Sequence, residues 1–152
     1  MKRIPIIFLF LLFCFSACTN DDSKAKVTSE NNVDAARNFI RAALDGKFNE
    51  ARSFMLTDSL NTQYLDAVER NYGKMNPDTI NAYRAASIRF YPPTTRVNDS
   101  TTIIIYANSF KNDLDTLRVV RINGQWLVDL KYLFEHDADT SFPKPVQKDT
   151  LK

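Results

Sequence analysis

Val119-Val120-Arg121-Ile122-Asn123-Gly124-Gln125-Trp126-Leu127-Val128-Asp129 is the stretch whose reading decides the fold. Asn-Gly between two apolar, β-branched runs predicts a two-residue hairpin, because both central residues of a type I′ turn need positive φ. The turn fixes a register. With Ile122 opposite Gln125, Arg121 faces Trp126, Val119 faces Val128 and Leu117 faces Leu130 on one side, the apolar core side. The other side then pairs Val120 with Leu127, Arg118 with Asp129 and Thr116 with Lys131. Asp129 is a tempting catalytic acid, but this register gives it a cross-strand arginine and the expectation of an exposed ion pair.

Upstream of the hairpin the strand pattern continues. Ser87 to Tyr91 is expected to stop at Pro92-Pro93, Thr101 to Phe110 is dense in β-branched residues, and Leu114 to Ile122 and Gln125 to Leu133 flank the turn. Four antiparallel strands are predicted. Before them the apolar period changes from two to between three and four. Val33, Ala36, Phe39, Ile40, Ala43 and Leu44 mark a helix over about 33 to 45, stopped by Asp45-Gly46. Phe48, Ala51, Phe54 and Met55 mark a short second helix. Thr57-Asp58 offers capping oxygens to a third, carried by Leu60, Tyr64, Leu65, Val68 and Tyr72, and Asn76-Pro77 opens a brief fourth to about Arg84. The expected class is therefore α+β, with N-terminal helices packed on a curved antiparallel four-stranded sheet.

The two ends have a different composition. Residues 18–32 are polar after Cys18 and read as a flexible tether, and residues 138–152, with Pro143, Pro145, Lys144, Lys148 and Lys152, read as a disordered tail. One domain, 33–137, lies between them. At the start, Lys2-Arg3, an apolar run from Ile4 to Phe15 and then Ser16-Ala17-Cys18 read as a signal peptide over 1–17. Phe15-Ser16-Ala17-Cys18 resembles a bacterial lipobox. That likeness implies cleavage before Cys18, a diacylglycerol on its sulfur and an acyl chain, such as palmitate, on the new amino group. The rival reading is an uncleaved transmembrane anchor, but the apolar run falls short of the roughly 20 residues that span a bilayer. The expected location is the cell envelope, lipid-anchored in the outer membrane on its periplasmic face or at the cell surface.

Removal of the signal peptide takes Lys2 and Arg3 with it and leaves 18 basic against 18 acidic side chains, a formal charge of zero. No basic block remains to bind phosphate backbones, so nucleic acid is not an expected partner. Cys14 and Cys18 are the only two cysteines, which excludes disulfides and thiolate metal sites from the body of the protein. The three glycines, Gly46, Gly73 and Gly124, stand alone, so no Gly-rich phosphate loop exists.

Helices first and then a sheet closing on Ile122-Asn123-Gly124-Gln125-Trp126, together with Phe39-Ile40-Arg41-Ala42-Ala43-Leu44-Asp45-Gly46-Lys47-Phe48, resemble the nuclear transport factor 2-like (cystatin-like) superfamily, and within it small uncharacterised Gram-negative lipoprotein domains. The resemblance covers about residues 33 to 134. It implies a cone of helices on a curved sheet, often enclosing a pocket, and no single chemistry. Enzymes of that superfamily, of ketosteroid isomerase or scytalone dehydratase type, use an Asp or a His-Asp pair with Tyr hydroxyls inside the cone. Here no Asp falls on the predicted core face of the last hairpin.

His136, the only histidine, stands beside Asp137 and near Asp139, but a metal needs three or four converging ligands and this run supplies them along one segment only. No metal and no cofactor is expected. Phe39, Tyr64, Tyr72, Tyr106 and Trp126 are the candidate pocket or core residues. Five Asp-Ser/Thr-apolar triplets, beginning at Asp58, Asp78, Asp99, Asp115 and Asp149, resemble acceptors of bacterial O-glycosylation, although Asp58 and Asp78 also sit at helix starts, where carboxylates cap backbone N–H groups. The functional expectation is a membrane-anchored lipoprotein with a non-catalytic domain binding a small apolar ligand or an envelope protein. A small pocket enzyme of isomerase, dehydratase or hydrolase type and a homodimeric structural scaffold are the alternatives.

Overall fold

The computed structural model describes residues 29–136. The expected signal peptide, Cys18 with most of its tether, and the tail beyond residue 137 lie outside them. The described chain runs α1 (Asn32–Leu44), α2 (Phe48–Ser53), α3 (Ser59–Tyr72), α4 (Pro77–Ala85), β1 (Ile88–Asn98), β2 (Thr101–Asn108), β3 (Asp115–Ile122), β4 (Gln125–Asp129) and α5 (Leu130–His136). The strands form one antiparallel sheet in the order β1-β2-β3-β4. The class is α+β with an open four-stranded sheet.

Local signals placed the helices. Asn31 accepts the Asp34 N–H, Asp58 the Asn61 N–H and Asn76 the Thr79 N–H, so each of α1, α3 and α4 starts on a side-chain oxygen. At the end of α1, Gly46 takes φ 76°, Lys47 N–H reaches the Ala42 carbonyl at 2.8 Å and Gly46 N–H the Ala43 carbonyl at 3.1 Å. That turn is crowded as well as left-handed, since a Cβ at Gly46 would meet Tyr72 Cε1 at 2.8 Å. The Arg41 guanidinium, on α1, then donates to the carbonyls of Tyr83, Arg84 and Ala86 and closes the C-terminal end of α4.

The hairpin register is the expected one. Ile122 pairs Gln125, Arg121 pairs Trp126, Val119 pairs Val128 and Arg118 pairs Asp129. Leu117, Val119 and Val128, with Ile104 and Tyr106 of β2, form the core side against Ala35, Ala36, Phe39 and Ile40 of α1. Trp126 is only half-buried, packed at the margin of that core rather than inside it. Its ring carries the Arg121 guanidinium 5.8 Å from the centroid.

Three boundaries differ from the reading of the sequence. The last strand ends at Asp129, so Leu130 never pairs with Leu117. Leu130, Leu133 and Phe134 have the i, i+3, i+4 spacing of a helix, and α5 turns those three into the core. The first strand does not stop at Pro92 but continues to Asn98. It is the edge of the sheet, where two missing N–H groups cost only the pairing between Tyr91 and Thr95. Phe54 and Met55 leave the second helix, and the segment lies along β4, with Leu56 N–H on the Val128 carbonyl and Val128 N–H on the Phe54 carbonyl, both at 2.8 Å.

Gly46→Ala is expected to destabilise the fold by about 1 to 3 kcal/mol, since it combines positive φ with a clash on Tyr72. Trp126→Ala should lose about 2 kcal/mol, less than the roughly 3 to 5 of a fully buried indole. Urea denaturation of both variants measures the two losses, and a larger loss for Trp126→Ala would show the indole to be a core residue.

Candidate functional site

Three regions carry chemistry: a polar network at the junction of β4 and α5, a small apolar cavity and the outer face of the sheet. The network grows from Asp129, whose position ends β4 and starts α5. Asp129 is 4% exposed, which overturns the expectation of an exposed ion pair. Its carboxylate accepts from Arg118 Nε at 3.0 Å and from Arg118 Nη2, from the Lys131 N–H at 3.2 Å and from Asn61 Nδ2 at 3.3 Å. Asn61, fully buried on α3, also donates to Asp58 and accepts the Leu130 N–H at 2.6 Å, while Lys131 Nζ donates to Asp58 at 2.8 Å. Two carboxylates, two cations and one amide thus neutralise and saturate each other.

This arrangement sets the titration of Asp58. Burial works against its charged form, but the Asn61 N–H, the Lys131 ammonium and the Asn61 amide outweigh burial and hold the carboxyl at about 2 against an ordinary 3.8. The Asp58 hydrogen bond likewise raises Lys131, against the opposing effect of its burial. All of these groups work within the fold, and none faces the cavity.

The cavity lies between α1, α3, α5 and β2, with a volume of about 120 Å³. Phe39, Leu65, Tyr106, Leu130, Leu133 and Phe134 are among its walls, and Asn108 is the polar residue that reaches it. Asn108 Oδ1 is already taken by the N–H groups of Phe110 and Lys111. Of the five candidate pocket residues, Phe39 and Tyr106 line this cavity. Tyr64 is stacked on Phe134 at 4.5 Å beside it, and burial first, then Glu135, raises its hydroxyl above 10.0. Tyr72 donates to the Leu44 carbonyl at 3.1 Å and packs edge-on against Phe48. Trp126 lies at the far end of the sheet, lining an open groove of about 270 Å³ with Asn31, Asn32, Thr94, Arg96 and Thr102. The candidates therefore divide between two places. Leu133, expected to end the last strand, and Phe134, expected just beyond it, are cavity walls on α5, and their helical spacing with Leu130 was the available signal.

The outer face of the sheet carries Ile103 and Ile105 of β2, Val120 and Ile122 of β3 and Leu127 of β4, all outside the core cluster. Four of these are half-buried and Ile122 is 45% exposed. His136 closes α5, and Asp137 and Asp139 fall outside the described residues. Among the described residues no group of three His, Cys, Asp or Glu side chains gathers to hold a metal, and no helix is long and apolar enough to cross a membrane. Of the Asp-Ser/Thr-apolar triplets, the Asp58 carboxylate is the cap of α3, whereas the cap of α4 is Asn76, with Asp78 exposed in its first turn. Asp99-Ser100 is exposed at the β1–β2 tip, Asp115-Thr116 is half-buried at the start of β3, and Asp149 lies outside the described residues.

No model of a known protein family, no curated protein and no solved structure matches this chain.

Asp129→Asn is expected to cost about 3 kcal/mol, because it leaves Arg118 without its buried counter-ion. Chemical denaturation decides this, since a loss under about 1 kcal/mol is the signature of a surface pair. Asp58 adds a pH dependence. Its folded pKa is depressed, so its contribution is full above the unfolded value of 3.8 and is lost as pH falls through about 2. Asp58→Asn should therefore flatten the stability curve between these pH values, as thermal melts at successive pH values can record.

Proposed function

We propose that this chain is a lipid-anchored, non-catalytic binding protein of the cell envelope, in a nuclear transport factor 2-like cone, and that it acts through the outer face of its sheet on a second copy of itself. The observation that carries the reading is the apolar outer face, where Ile103, Ile105, Val120 and Leu127 remain half-buried while the helices pack on the other side. A four-stranded sheet about eight residues long offers about 500 Å² per copy at ordinary strand spacing, so pairing two copies covers about 1,000 Å², the lower bound for a specific interface. Such a face is self-complementary at its centre, which is aliphatic, with the Arg118 guanidinium already paired to Asp129 and the exposed Arg89 standing at the β1 edge. The lipobox-like ending at Cys18 supports the anchor. The complete internal pairing of Asp129 supports a domain that binds rather than reacts.

The cavity favours a second reading, capture of a small apolar ligand. A dry cavity of similar size accepts a molecule no larger than benzene or xenon, which limits that ligand to a few carbon atoms.

Two measurements test the main reading. Sedimentation of the chain from Thr19 onwards should show a dimer, and Leu127→Lys should convert it to a monomer with unchanged circular dichroism. A parent that stays monomeric at high concentration rejects pairing. In cells, Cys18→Ala should move the protein from the membrane to the soluble fraction, since a thioether-linked diacylglycerol and an amide-linked chain supply the two signals stable anchoring takes. Retention of the variant in the membrane would identify the apolar segment as an uncleaved anchor.

A further inference from the structure

The two hairpin tips and the point of chain entry share one end of the molecule. Thr101 pairs with Asn98 and also with Val120, which puts the β1–β2 tip and the Asn123-Gly124 turn side by side. Asn32 Nδ2 donates to Thr102 Oγ1 at 2.9 Å, which fixes the start of α1, and Ser29 just before it, to the same end. The opposite end, where the β2–β3 loop carries Phe110, lies about one helix length, roughly 20 Å, further away.

The side chains at the tip end differ from the neutral polar surface expected of two turns. Val97 is 58% exposed, Ile122 is 45% exposed on the outer face, and Trp126 is half-buried on the core face of the same end. Arg121 lies over the indole and makes no ion pair among the described residues, its guanidinium reaching only the Gly124 carbonyl at 3.5 Å. Arg96 opens onto the groove beside Trp126 and pairs with the fully exposed Asp99. Exposed aliphatic groups beside a Trp and arginines form the combination that sits at a bilayer interface, with the rings at headgroup level and the guanidinium groups on phosphates.

We infer that this end of the sheet, through Val97, Ile122, Trp126, Arg96 and Arg121, rests on the phospholipid surface that carries the Cys18 anchor. The inference rests on the reading of Cys18 as the lipidation site. Ten residues separate Cys18 from Ser29, a span of at most roughly 40 Å, so the anchored chain enters the domain at the tip end and keeps it within reach of the bilayer, while the orientation comes from the tip side chains themselves. Each copy then contacts lipid with its hairpin tips while its outer sheet face stays available to a partner lying beside it.

Trp126 is the only tryptophan, so it reports on this surface directly. The full chain, purified from membranes, is reconstituted into vesicles of phosphatidylethanolamine and phosphatidylglycerol that contain a spin-labelled phospholipid, and tryptophan fluorescence is read. Trp126 should be quenched about twofold, as expected of an indole at headgroup depth. A Phe110→Trp substitution in a Trp126→Phe background should give an unquenched reporter at the other end. Arg121→Glu combined with Ile122→Asp should abolish the quenching of Trp126 while circular dichroism stays unchanged. Equal quenching at both ends, stronger quenching of the Phe110→Trp reporter, or quenching that survives the double substitution would each overturn the inference. Intact mass of the same preparation reports acyl groups on Cys18 separately. An unacylated Cys18 would sink the anchor, while the quenching pattern alone decides the surface.

Discussion

Asp129 is the point on which the rest of the structure depends. A carboxylate buried at the end of a strand has to be matched by charge and by N–H donors, and every donor it found comes from a different element: Arg118 from β3, Asn61 from α3 and the Lys131 amide from α5. These bonds do more than satisfy one anion. They hold α3 against the sheet, end β4 where it ends, and provide the first backbone donors of α5 with partners. With α5 so placed, Leu130, Leu133 and Phe134 fall onto α1 and α3 and leave the apolar cavity between them. Removal of the carboxylate would therefore loosen a junction of three elements rather than a single contact.

The legible parts of this sequence were those governed by local rules. Asn123-Gly124 fixed the hairpin register because few residues tolerate positive φ, and the register predicted the Arg118 and Asp129 pair correctly. Asp58, Asn76 and Gly46 marked helix ends because their side chains or backbone freedom suit such positions, whereas the Asn31 cap of α1 had no such reading. What failed was non-local. The apolar run after Asp129 was compatible with strand or helix, and the choice was made by Asn61, almost seventy residues away, accepting the Leu130 N–H. The burial of Asp129 escaped notice for the same reason, since its other partners come from α3 and α5. Pro92-Pro93 looked like a stop because nothing local says that a strand will lie at a sheet edge.

The candidate residues show the same division. Phe39 and Tyr106 reach the cavity because they lie on the core faces of α1 and β2, which periodicity reveals. Trp126 is on the core side of β4 too, yet it stands at the end where the helices no longer cover the sheet, and there core and surface meet. A periodic pattern assigns a face and does not say how far along that face the covering layer extends.

The two lateral edges of the sheet are each interrupted, by different means. Along β4 the segment Phe54 to Leu56 takes up the Val128 backbone groups, and along β1 two prolines interrupt what would be a continuous row of donors and acceptors. At high local density an open, uninterrupted edge templates strand after strand into a growing ribbon. A bridge on one edge and two prolines on the other disfavour that route among the described residues, whereas face-to-face contact of two sheets ends after a single step. The described sheet thereby resists fibrillar growth better than one with two unbroken edges would.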